Sequence, residues 1–294
     1  MQHLLLTFHI TVSTKISALL FTALLSLVVY KGLRSVDYIN RGLMFSKLFT
    51  FILLALCIFP FISIDYLLTL ANPYSTTMIL GSITVIMTSF GFAVIVPSLR
   101  SYFKNDLLML RKTILIGSLI PLFCYVIWEI AIMGVIPAQG NPSLTLMYHS
   151  GHSASDLMMA LSNLLHNRLI NLLAKIFTSI CLATSFLGVA LSLFDFLSDG
   201  LKIKKRALNK FVLYVLTFLP PFLIANHYPH IFIIALSYAG VLCALLLILL
   251  PAMMAWSGRY IKKSAIGYRL AGGKFLLISL ITIALFIIVL SLIN

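Results

Sequence analysis

Thr88-Ser89-Phe90-Gly91-Phe92, followed by Pro97-Ser98, lies in the middle of an apolar stretch and decides how the rest of the chain is read. A helix that crosses lipid must satisfy its backbone N–H and C=O groups within itself. Glycine beside hydroxyl-bearing and aromatic residues, with a proline soon after, weakens that internal ladder. Broken helices persist at membrane depth where the freed backbone lines a cavity or a ligand. Gly91 therefore fits two readings. One is a small residue at a helix–helix contact. The other is an unwound segment whose half-helix ends aim their dipoles at a ligand. In the second, Thr88, Ser89 and the freed N–H groups suit a carboxylate, and Phe90 and Phe92 supply an aromatic wall.

Composition sets the medium around this segment. The 294 residues are 61% hydrophobic and 10% charged, with a mean hydropathy of +1.10. A soluble domain carries about 25% charged residues, so the chain is an all-α polytopic membrane protein. Its 21 Lys and Arg against 7 Asp and Glu would suit nucleic acid in a soluble domain. Here the basic residues sit in short loops between apolar spans, so lipid is the expected partner and nucleic acid is not. Cys57, Cys124, Cys181 and Cys243 fall in four different spans without a C-x-x-C pair, as packing residues do. The N-terminus lacks the basic region and cleavage site of a signal peptide.

About 20 apolar residues cross the hydrocarbon. The sequence predicts about eight transmembrane helices in a single membrane domain over 1–294: residues 12–31, 43–64, 78–99, 113–136, 169–194, 211–227, 231–256 and 275–293. Pro220-Pro221 is expected to kink the sixth or to start a new helix there. Alternate loops hold 18 of the 21 basic residues, from Lys31 and Arg34 through Arg111 and Lys204 to Lys274. Only Lys15, Arg168 and Lys175 remain for the opposite side. The positive-inside rule then places the basic loops in the cytoplasm and both termini outside. A first helix entering from outside is the less common arrangement. An odd number of preceding spans would repair it, so the chain is expected to be incomplete at its N-terminus.

Polar residues within the spans are the remaining candidates. Glu129, beside Trp128, reads either as a hydrogen-bonded structural acid or as a proton carrier. Thr184-Ser185, ahead of Gly188, either bond back to a preceding carbonyl or line an ion pathway. Asp195 and Asp199 close the fifth span as solvated acids. In the loop from Pro137 to Asn167, Ser153-x-x-Asp156 opens a helix with Leu157, Leu161, Leu164 and Leu165 on one face. That helix is expected to lie on the surface or to plug a vestibule. His149 and His152 have no third ligand, so no metal site is expected. Lys202–Arg206 reads as a positive-inside cluster with anionic-lipid contact as an option. Nucleotide loops, hydrolase elbows and metalloprotease helices are missing from the sequence, and the acids and histidines form no paired catalytic set, so an enzyme is not expected.

Several blocks together carry a resemblance. They are Thr88-Ser89-Phe90-Gly91-Phe92 with Val96-Pro97-Ser98, then Ile120-Pro121-Leu122, Tyr125 and Trp128, then Leu182-Ala183-Thr184-Ser185-Phe186-Leu187-Gly188 with Leu193-Phe194-Asp195. Thr217-Phe218-Leu219-Pro220-Pro221, Ser237-Tyr238-Ala239-Gly240 and Gly267-Tyr268-Arg269 follow. From about Ser13 to the C-terminus the chain resembles the tyrosine- and tryptophan-specific permeases of the aromatic amino acid permease family, and is most similar to the tyrosine branch. The resemblance implies eleven helices, the first ten in a five-plus-five inverted repeat, of which this chain lacks the first three. It implies uptake of an aromatic amino acid, tyrosine foremost, by secondary active transport across the bacterial inner membrane. Proton symport is implied, and no cofactor. Substrate binding would fall to Ser89, Phe90, Gly91 and Phe92, and the ion or pathway to Thr184, Ser185 and Glu129. Ala93 stands where the family often has histidine. The alternative expectation is a non-transporting membrane fragment of such a permease.

Overall fold

The computed structural model describes residues 14–68, 76–104, 106–150, 153–202, 207–228, 231–263 and 271–293. Among these the regular structure is entirely helical. The α-helices are α1 (Thr14–Lys31), α2 (Leu33–Ile58), α3 (Ile64–Leu68), α4 (Thr76–Ser89), α5 (Val96–Tyr102), α6 (Leu107–Val135) and α7 (Leu144–Ser150). They continue as α8 (Ser153–Leu165), α9 (Arg168–Gly200), α10 (Ala207–His227), α11 (Ile231–Cys243), α12 (Leu250–Trp256) and α13 (Gly273–Ile293). Among the described residues four helical stretches are long and apolar enough to cross a membrane: Leu33–Phe61, Leu107–Val135, Arg168–Gly200 and Ile234–Ile261. Ile16–Lys31, Phe211–His227 and Gly273–Val289 are shorter apolar helices.

The helices pack as two compact units. The first comprises Met1–Thr69 and Trp128–Pro229. Its centre is α9, which packs on α2, α1, α10 and α8. Asn167 caps α9, its side-chain oxygen accepting from the N–H groups of Leu169 (2.9 Å) and Ile170 (3.4 Å), two donors with no intrahelical acceptor. Apolar residues at helical spacing then feed two cores. Ile170, Leu173 and Ala174 join Leu54, Ile58 and Ile136 in one. Leu187, Ala190 and Phe194 join Leu25, Val29 and Leu213 in the other.

Polar contacts of this unit run both within and between helices. Thr217 donates to the Leu213 carbonyl at 2.7 Å. Ser26 donates to the Ala23 carbonyl at 3.0 Å and is hydrogen-bonded to the Tyr214 hydroxyl. The Tyr214 ring also meets Tyr30 edge-on at 5.7 Å. Gly134 is a close-approach position: the Ser63 N–H donates to its carbonyl at 2.8 Å, and an added Cβ would lie 2.6 Å from Ile62 Cγ2.

The second unit comprises Leu70–Ile127 and His230–Asn294. Here α4 packs on α11 and α13. Between α11 and α12 the chain is wound as a π-helix over Ala244–Leu249, and again over Ser257–Ile261 after α12. Pro251 explains the first of these. It has no N–H for the Leu247 carbonyl, and its ring would collide with that carbonyl in a regular α-turn. Widening the preceding turn relieves the clash, and the Leu250 N–H donates to Leu245 instead.

Of the two alternatives at Pro220-Pro221, no new helix begins there, because α10 runs unbroken from Ala207 to His227. Helices in lipid tolerate proline where neighbouring groups re-satisfy the freed carbonyls. The helix predicted after Ser153 forms over Ser153–Leu165, with part of its leucine face turned to the protein. Leu161 is fully buried, and Leu157 and Leu165 pack against the Leu54–Ile58 core.

Two substitutions test this packing by thermal unfolding in detergent. Gly134→Ala forces Ile62 aside and should destabilise by about 1–3 kcal/mol. Tyr214→Phe removes one interhelical hydrogen bond while Ser26 keeps its bond to Ala23, so the loss should be only about 0.6 kcal/mol.

Candidate functional site

The third apolar span is interrupted where its glycine sits. The α4 helix stops at Ser89, Phe90 makes a turn, and Gly91–Ile95 is wound as a 3-10 helix before α5 begins at Val96. Phe90 has φ −109° and ψ 19°, outside the helical range, and its N–H reaches the Met87 carbonyl at 3.3 Å in a tightened last turn. The Thr88 hydroxyl is occupied locally, donating to the Val85 carbonyl at 2.6 Å. Ser89 and Phe92 are exposed, whereas Phe90 and Gly91 are half-buried. A helix start leaves its first N–H groups without intrahelical acceptors, so this turn offers donors beside a free hydroxyl-bearing side chain.

Three residues complete the surroundings that sequence reasoning did not assign to the site. Tyr125 of α6 meets Phe90 edge-on, with ring centroids 5.7 Å apart. Such a pair is worth about 0.5–1.5 kcal/mol beyond its area. Cys243 and Leu247 lie behind Gly91: an added Cβ would be 3.7 Å from the cysteine sulfur and 3.9 Å from Leu247 Cδ1. The tight 3-10 turn thus backs onto the wide π-turn of the Ile231–Trp256 run. Pro251 was the available signal for that second irregularity. Tyr125, an aromatic with a polar tip inside an apolar span, was the signal for the first.

The other predicted residues belong to the first unit. Thr184 is buried and donates to the Cys181 carbonyl at 2.9 Å, the local back-bonding arrangement. Its neighbour Ser185 is exposed and lines a cavity of about 690 Å³ between α1, α9 and α10. Aromatic rings wall that cavity: Phe186 stacks on Phe218 at 5.9 Å and meets Phe21 edge-on at 5.8 Å. Glu129 is exposed on α6 and makes no hydrogen bond or ion pair among the described residues, while Trp128 packs on Phe177 at 5.7 Å. Within the unit these three residues form no common polar cluster. Among the described residues no three His, Cys, Asp or Glu converge as metal ligands, and His149 and His152 have side chains outside those described.

Comparison with known proteins adds sequence relatives. The model of the tryptophan/tyrosine permease family matches residues 1–291. The chain is 35% identical over 266 residues to the "Tyrosine-specific transport system 2" of Haemophilus influenzae, covering 90% of this chain and 64% of that protein. It is 33% identical over 277 residues to the "Tyrosine-specific transport system 1" of the same organism, covering 93% and 67%. A "Glutamine transporter 2" of Aliivibrio fischeri is 32% identical over 247 residues, covering 84% and 60%. The chain therefore spans about two thirds of the length of these relatives. No solved structure matches.

Gly91 separates packing from function. Its φ is not in the left-handed region, and an added methyl would sit at ordinary van der Waals distance. Gly91→Ala should therefore stabilise the protein by about 0.4–1 kcal/mol by restricting the unfolded chain. Gly91→Leu must displace Cys243 and Leu247 and should cost about 1–3 kcal/mol. Thermal unfolding of both variants in detergent reads the difference.

Proposed function

The chain belongs to the tryptophan/tyrosine permease family, and we propose that it serves uptake of an aromatic amino acid, tyrosine foremost, across the bacterial inner membrane. Several long apolar helices make it an integral membrane protein. Transport rather than catalysis is the common property of its named relatives. The observation that carries the substrate reading is the interrupted helix at Ser89–Phe92, with Phe90 held against Tyr125.

In this reading the substrate carboxylate meets the Ser89 hydroxyl and the N–H groups at the start of the 3-10 turn, where the half-helix dipole favours negative charge. The substrate ring lies against Phe90 and Phe92. Gly91 lets the turn pack closely against Cys243 and Leu247. The five-plus-five inverted repeat supplies the frame, and the basic loops face the cytoplasm. Uptake is secondary active, with protons as the coupling ion. Glu129 is the acid of the proton step, as an exposed carboxylate inside an apolar span, and Ser185 lines the pathway. The glutamine-transporting relative makes glutamine the competitor against which aromatic selectivity is measured.

Radiolabelled uptake into cells lacking their own aromatic permeases tests this, with the gene expressed in its native genomic context. Tyrosine uptake should exceed the empty-vector level, fall with excess unlabelled tyrosine or tryptophan, and collapse with a protonophore. Ser89→Ala should lower uptake about tenfold at unchanged protein level, the loss of one hydrogen bond to a charged group. Uptake competed by glutamine and not by aromatic amino acids would replace the aromatic reading.

A further inference from the structure

A second concavity lies at the other end of α1, where the chain turns into α2. It has a volume of about 360 Å³. Its composition is divided along its length. Leu24, Leu27 and Val28 of α1 form an aliphatic wall, and Lys31, Ser35 and Tyr38 gather at the end where α1 stops. Gly32 makes the division possible. With φ 104° and ψ −176° it breaks the helix in a conformation that other residues adopt only with strain. The Ser35 and Val36 N–H groups fold back onto its carbonyl at 3.1 and 3.2 Å. As the N-cap of α2 it offers no side-chain acceptor to the first N–H groups of that helix.

The acid nearest Lys31 in sequence pairs without it. Asp37 is the nearest acid in sequence, and Arg41 already holds it through contacts of 2.8 and 3.1 Å one turn on. Lys31 is exposed and in no ion pair among the described residues. Leu24 and Leu27 are 58% and 59% exposed on a helix with no charged residue between Lys15 and Lys31. Such surface meets acyl chains in a bilayer, and a lysine at a helix end reaches for the interface. The Tyr38 ring, with its polar tip, is the residue type found at headgroup level.

We propose that this concavity is a binding site for an anionic phospholipid of the surrounding membrane. The phosphate meets Lys31, the Ser35 hydroxyl and Tyr38, and the first part of an acyl chain lies along Leu24, Leu27 and Val28. A free phosphate ion would meet the same polar groups but leave the aliphatic wall uncovered. The wall is therefore what assigns the site to a lipid.

Native mass spectrometry of the detergent-purified chain, titrated with phosphatidylglycerol, phosphatidylcholine or inorganic phosphate, tests the proposal. Phosphatidylglycerol should bind saturably and about fivefold more tightly than phosphatidylcholine, and Lys31→Gln should erase that preference, as expected for one lysine at a lipid surface. Leu27→Trp should block the lipid by filling the aliphatic wall with Lys31 intact. Both changes are at exposed positions, so folding is retained. Lys112→Gln removes the same charge far along the sequence and should leave the preference unchanged within about twofold. Equal binding of the two lipids, an equal loss with Lys112→Gln, or competition by inorganic phosphate would each overturn the assignment.

Discussion

Backbone hydrogen bonds that lipid cannot satisfy are the constraint on which everything else in this protein depends. It accounts for the purely helical structure among the described residues and for helices of up to 33 residues. It also gives weight to every departure from the α-ladder. The described departures within apolar stretches include the 3-10 turn at Phe59–Phe61, the turn and 3-10 segment at Phe90–Ile95, the π-turns at Ala244–Leu249 and Ser257–Ile261, Pro121 in α6 and the proline pair in α10. Polar side chains obey the same rule. Thr50, Thr178, Thr184 and Thr217 each turn their hydroxyls back to a carbonyl three or four residues earlier. Their burial is therefore compatible with an apolar medium and calls for no ion or ligand.

The two units meet this constraint with different interiors. Both large buried clusters among the described residues belong to the first unit, where α9 feeds one with its first turns and the other with its last. In the second unit the buried residues among those described are three alanines, Ala244, Ala252 and Ala284, beside Leu110, Leu277 and Ile287. Small residues let helix backbones approach where lipid supplies no hydrophobic drive for association. The second unit also holds the 3-10 segment and both π-turns. Irregular turns cost less where they do not disrupt a large interlocked core.

The sequence made the medium legible because composition and loop charge report it directly. The interruption near Gly91 was legible too, since glycine, hydroxyls and proline together are the local chemistry of a broken ladder. Contacts were not. Nothing in the spacing placed Tyr125 against Phe90, or Cys243 behind Gly91, because those meetings depend on how separate helices cross. At Pro220-Pro221 local preference left a kink or a new helix open, and the uninterrupted run of α10 removes the second. Conversely, Pro251 carried a readable signal for the π-turn before it, through its missing N–H. The Ser153–Leu165 helix was legible as a helix from the spacing of its leucines, but the partner of that apolar face was not.

The third span also shows why periodicity fails to carry a face across a break. An α-helix turns about 100° per residue and a 3-10 helix about 120°. Over the five residues Gly91–Ile95 the difference accumulates to about 100°, more than a quarter turn. The rise differs as well, about 2.0 Å per residue against 1.5 Å, so α5 also begins about 2.5 Å further along than a continued α-helix would place it. A residue after Ile95 therefore presents a different face from the one that α4 spacing assigns it. Gly91 sits where this rotation begins, with the sulfur of Cys243 and the widened turn behind it. Narrow and wide turns packed together let the chain change direction without opening a void, because the slimmer segment lies against the broader one. On this view the glycine is required less for conformational freedom than for absence of bulk. Its φ would suit alanine, but the space behind it accepts little more than a methyl group.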